Sequence, residues 1–191
     1  MTPEHNKVVT EELVKQRGAE HVRHEFVAWT LSEGCRAVFV LAPGQAPSGG
    51  ICLPGVMTDV NAHLRPLGAP QPGDYDPTFP GWDFVPSFFV PFGFMLGRLK
   101  PSANVQETVA YILSAEEFLR EEAGTVGQAL DFARDTMPFE QTPPFLIPVG
   151  YLSLGRTADA EAFMAACTDH FANGPMAQTY ARFVERLREQ V

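Results

Sequence analysis

His24-Glu25-Phe26-Val27-Ala28-Trp29-Thr30-Leu31, then Ser32-Glu33-Gly34-Cys35, then Arg36-Ala37-Val38-Phe39-Val40-Leu41-Ala42 is the stretch on which the fold turns. Two β-favouring apolar runs joined by four loop-forming residues read as an antiparallel hairpin. Pairing Leu31 with Arg36 sets Trp29 against Val38 and Val27 against Val40 on one face. Ala28 against Phe39 and Phe26 against Leu41 then fall on the other. Both faces are apolar, and a sheet buried on both sides requires a covering layer on each. The expected fold class is therefore α+β: a mainly antiparallel sheet with helices packed on it, a Pro/Gly/aromatic-rich central segment and an α-helical C-terminal third.

Outward from the hairpin, Thr2 as N-cap, Pro3 at the first helical position and Gly18 as a stop predict a helix over about residues 3–17. A third strand is expected through Gly50–Met57, interrupted at Pro54-Gly55 and so at an edge or bulged, followed by a short helix over Thr58–Leu64. From Pro43 to Pro101, 20 of 59 residues are Pro or Gly, a density that usually signals disorder. Eight aromatics between Tyr75 and Phe94 argue instead for a packed segment. Phe92–Leu99 reads as a further strand, and Glu107–Leu113, rich in β-favouring residues, as another.

Beyond this the chain turns helical. Ser114-Ala-Glu-Glu117 and Thr125-Val-Gly-Gln128 are both capping-box patterns, the first opening a helix to about Ala123, the second a helix ended by Pro138. A helix stopped by Gly155 is expected over Pro143–Leu154. Another is capped by Thr157 with Ala160, Phe163, Met164, Cys167 and Phe171 on one face, and a last one begins at Pro175. One domain over 1–191 is expected, sheet-rich over 1–113 and helical over 114–191.

With 191 residues and 45% apolar content the chain suits one compact domain. Its net charge of -9 disfavours phosphate-neutralising contact with nucleic acid and favours basic partners. No apolar run approaches the ~20 residues of a membrane span, and the amino terminus lacks signal-peptide features, so a cytoplasmic address is expected. Three well-separated cysteines, Cys35, Cys52 and Cys167, form no CxxC pair and suit neither a disulfide framework nor a thiolate zinc site. No cofactor and no metal are expected.

Several motifs fall short of the chemistry they suggest. Gly44-Gln-Ala-Pro-Ser-Gly49 has phosphate-loop spacing, but Gly50-Ile51 stands where Lys and a hydroxyl residue are needed, which leaves a loop between strands. His21-Val-Arg-His24-Glu25 lacks the i, i+4 spacing of a helical metal pair. Asp74-Tyr-Asp76 and Asp83 suggest a calcium loop but lack its turn glycine and its twelfth-position glutamate. Cys35, at the hairpin turn, lies ~23 Å from His24 at 3.3 Å per residue, too far for a dyad within the hairpin. Asp59 and His63, at i, i+4, could place a carboxylate beside an imidazole. Together with Asp76, Trp82 and Asp83 they form one candidate pocket, for a small ligand or a small hydrolase. No nucleophile elbow, dinucleotide loop or zinc quartet is present, which lowers the expectation of an enzyme.

Charge placement supplies the other candidate. Seven acids between Glu107 and Asp135 face only Arg120 and Arg134, a local balance of -5. Glu116, Glu117, Glu121, Glu122 and Asp131 form the expected binding face, either a solvated surface or a patch that steers a basic protein.

The order of helix, apolar hairpin, third strand, Gly/Pro-rich middle, Gly97-Arg98-Leu99 turn and helical tail resembles a family of small bacterial α+β domains of unknown function, some associated with immunity. The resemblance implies an immunity-like role, and with the missing catalytic motifs the expected function is that of a non-catalytic interaction protein. Separately, Tyr151-Leu-Ser-Leu-Gly-Arg156 followed by Ala158-Asp-Ala-Glu-Ala162 resembles the turn of one tetratricopeptide-type helical hairpin, which in a single copy would cap the domain.

Overall fold

The computed structural model describes residues 1–23, 26–68, 87–100, 102–140 and 142–189, without the side chains of 21–23 and 94. Among the described residues five antiparallel strands lie in chain order: β1 (Glu20–Arg23), β2 (Phe26–Ser32), β3 (Cys35–Val40), β4 (Ser48–Cys52) and β5 (Phe88–Val90). Eight α-helices accompany them among the described residues: α1 (Pro3–Arg17), α2 (Pro54–Leu64), α3 (Phe92–Met95), α4 (Val105–Ala123), α5 (Val126–Thr136), α6 (Pro143–Ser153), α7 (Thr157–Phe171) and α8 (Ala177–Arg188). The fold is α+β, with the last five helices forming its C-terminal part.

Local chemistry explains the ends of α1. Thr2 Oγ accepts from the His5 N–H at 3.2 Å, Pro3 opens the helix, and Gly18, at φ 63°, returns its N–H to the Val14 carbonyl. The β2–β3 hairpin forms as expected, but its register is one residue away from the Leu31/Arg36 pairing. Ser32 pairs with Cys35 around a two-residue turn in which Gly34 supplies φ 74°, and the ladder shifts between Thr30 and Ser32. Val27 therefore faces Phe39, Trp29 faces Ala37 and Ala28 faces Val38. A one-residue slip carries a whole strand's side chains to the opposite face.

The main core includes Val27, Trp29, Ala37, Phe39, Ile51, Phe88 and Val90 on one sheet face. Trp29 stacks on Phe39 at 5.2 Å and Phe39 on Phe92 at 5.7 Å. On the other face Ala28, Val38 and Cys52 form a smaller buried cluster flanked by Phe26. Apolar burial on both faces thus holds, with unequal depth.

The expected third strand stops at Cys52, because Pro54 opens α2 instead of interrupting a strand, and α2 begins four residues before the expected Thr58. Gly49 is the second residue of β4, so the phosphate-loop pattern runs into the sheet. A Cβ on Gly50 would stand 2.0 Å from the Phe88 carbonyl oxygen, so glycine is what permits β5 to pair there. Ser87 secures the same junction: its N–H donates to Ile51 O at 2.7 Å and its Oγ accepts from the Leu53 N–H at 2.8 Å.

Residues 107–113 are helical, not extended. Asn104 and Glu107 form a reciprocal capping box, and α4 runs unbroken through the expected Ser114 start and the expected boundary at 113/114. Val109, Ile112, Glu116, Leu119 and Ala123 keep helical spacing against the core, and that burial overrides the β preference of Thr108, Val109, Tyr111 and Ile112. Phe92–Met95 is likewise a short helix rather than a strand.

The Thr125/Gln128 capping box opens α5 as expected. α6 is apolar on all sides and fully enclosed from Pro143 to Tyr151. Pro148 cannot donate to the Pro144 carbonyl one turn back, and the Tyr180 hydroxyl takes that carbonyl instead, at 3.2 Å. α6 and α7 form a helical hairpin about Leu154–Arg156, in which Thr157 is the first helical residue and Arg156 the cap. α8 begins at Ala177, two residues after the expected Pro175.

Candidate functional site

The acidic stretch divides into charges with partners and charges without. Glu116 is buried on the inner side of α4, its carboxylate taking Arg17 Nε at 3.0 Å and Arg120 Nη2 at 2.6 Å. Arg120 also donates to the Leu31 carbonyl, beside the hairpin's register shift. Glu116 therefore clamps α1 and the sheet to α4, contrary to its expected place on an outward binding face. Sequence distance hid this: Arg17 lies 99 residues away.

Asp131 is also committed. Arg156 grips it through two bonds of 2.9 Å, the Tyr151 hydroxyl donates to it at 2.7 Å, and Arg134 stands 3.2 Å away. The Arg156 bonds hold its carboxyl below the usual range, against opposing burial. The same guanidinium lies 4.2 Å over the Tyr151 ring, so the cluster joins α5, α6 and the start of α7. Asp135 pairs with Arg134 at 2.7 Å and Glu107 belongs to the α4 cap. Of the seven acids, Glu117, Glu121 and Glu122 stand exposed with neither an ion pair nor a cap bond among the described residues.

The second candidate is partly assembled. Asp59 and His63 line a cleft of about 500 Å³ where α2 meets α6, with Ser153, Thr157, Val149 and Leu187 on its other walls. Asp76, Trp82 and Asp83 lie outside the described residues, as do His24, Glu25 and Asp74. The His63 ring packs edge-on to Phe183 at 6.3 Å, and its Nδ1 is inaccessible and without a partner. Burial, reinforced by the nearby Arg186 charge and opposed by Asp59, lowers the His63 pKa and keeps the ring neutral at pH 7.

No hydrogen bond joins Asp59 to His63, and the Ser153 hydroxyl donates to Gly150 O at 2.8 Å. Ser153 and Thr157 join His63 only through tertiary packing, some 90 residues on, and no local pattern announces them.

All three cysteines are buried, and burial pushes the Cys35 thiol up to about 12 and the Cys167 thiol up to about 11. Among the described residues no group of three or more His, Cys, Asp or Glu could hold a metal ion, and no helix is long and apolar enough to cross a membrane. The fold defines an α+β protein whose antiparallel meander is overlaid by helices. No protein family, no curated protein and no solved structure matches the chain.

Proposed function

We propose that the chain is a non-catalytic interaction protein that engages a basic protein partner through the outer face of α4. The observation that carries this reading is the separation of compensated from uncompensated acids: Glu117, Glu121 and Glu122 are exposed and have no ion pair, whereas Glu116 and Asp131 are neutralised internally. Unpaired surface carboxylates on a rigid helix raise the local concentration of a cationic surface and speed its docking. A cytoplasmic setting and an immunity-like role belong to the same reading.

The test is capture by the tagged chain from its host lysate at low and high salt, run beside the triple variant Glu117→Lys, Glu121→Lys, Glu122→Lys. The expected result is a stoichiometric basic protein that salt releases and the variant fails to retain. Equal retention by parent and variant refutes the reading.

A further inference from the structure

We propose that the cleft between α2, α6 and the start of α7 binds a small zwitterion with an apolar tail, of the chemical class of a branched aliphatic α-amino acid. This site is separate from the acidic face of α4. Its volume of about 500 Å³ falls within the range of small-ligand sites.

The polar groups at the cleft have two opposite characters. Asp59 is an exposed carboxylate that only accepts hydrogen bonds. Ser153, having given its proton to Gly150 O, presents oxygen lone pairs. These two groups suit an ammonium. Thr157, at the cleft wall, is the first residue of α7, which opens with no side-chain cap, so its N–H and its hydroxyl are available as donors. With Nδ1 sealed inside, His63 meets the cleft through its other ring edge. The neutral tautomer that carries its proton on Nε2 adds a further donor. These groups suit a carboxylate. Between them, Ala62 and the half-buried Leu152, with the edges of the buried Val149 and Leu187, offer apolar surface for an aliphatic side chain.

The charged and titratable groups around His63 are Asp59 on its own helix and Arg186 on α8. The bound carboxylate, held on the Nε2 edge of the ring, would favour its protonation, so ligand binding and His63 titration should be linked.

The experiment is titration of the full chain with L-leucine, followed by the imidazole proton resonances of His63, assigned through the His63→Gln variant. Isopentylamine and 4-methylpentanoate, each carrying one of the two charged ends, serve as comparison probes. Expected are saturable shifts with L-leucine at a Kd of about 1 mM or tighter, binding at least ~10-fold weaker for either probe, and a loss of similar size in Asp59→Asn. Asp59→Asn alters an exposed residue, so its folding is checked simply by an unchanged unfolding midpoint. Three results would each overturn the proposal: no saturation by L-leucine, a single-charge probe binding as tightly as leucine, or full affinity in Asp59→Asn.

Discussion

Replacing Glu116 by Gln removes one charge and almost no volume, which isolates the clamp between α1 and α4. The Glu116 side chain is 4% exposed, while Arg17 and Arg120 are 48% and 51% exposed. Were all three groups sealed from water, loss of the carboxylate would cost about 3–5 kcal/mol. Here both guanidinium groups can turn outward and resolvate, and the amide still accepts one hydrogen bond. The expected loss is therefore about 2 kcal/mol, near the value of one charge-assisted bond. For a chain of this length that lowers Tm by about 4–8 °C. Urea unfolding is the assay, with the slope of the transition expected to stay unchanged. Glu117→Gln, one residue along and exposed, should change stability by less than about 0.5 kcal/mol. In a double-mutant cycle, Arg17→Ala should cost clearly less when Glu116 is already Gln. Equal stability of parent and Glu116→Gln, or an equal loss in Glu117→Gln, would refute the division between a structural and an exposed carboxylate.

Two further outcomes follow from the sheet and the cleft. Gly50→Ala should destabilise by about 3 kcal/mol or more, because its Cβ meets the Phe88 backbone and not a movable side chain. Gly55→Ala, facing open space in the first turn of α2, should be neutral or slightly stabilising, and thermal melts of the pair check the contrast. His63 has a folded pKa below its ordinary 6.5, so the unfolded chain takes up the proton first. Its contribution to stability therefore falls as pH drops through about 6.5 and levels off below the folded value. Urea midpoints at pH 5.5 and 7.5 should differ less in His63→Gln than in the parent; an identical difference would contradict the burial of that ring.

Local chemistry alone determined a good part of this protein. Thr2, Pro3 and Gly18 bound α1, Thr125 and Gln128 open α5, and two β-branched and aromatic runs around Glu33-Gly34 make a hairpin, since caps and turns are satisfied within a few residues of chain. The helical character of α4 was also present in the Asn104/Glu107 box, although the β-favouring residues that follow obscured it. Tertiary structure decided what depends on distant partners. The hairpin register follows from the bulge near Leu31, where Arg120 of α4 reaches the strand carbonyl. Glu116 and Glu117 are indistinguishable in sequence, yet one turns toward Arg17 and the other toward water. Asp59 and His63 could be paired from their spacing, but Ser153, Thr157 and Leu187 join them only because α6 and α8 pack against α2. Periodicity reports that a helix has an inner and an outer face; which charges lie inside depends on the elements that arrive to meet it.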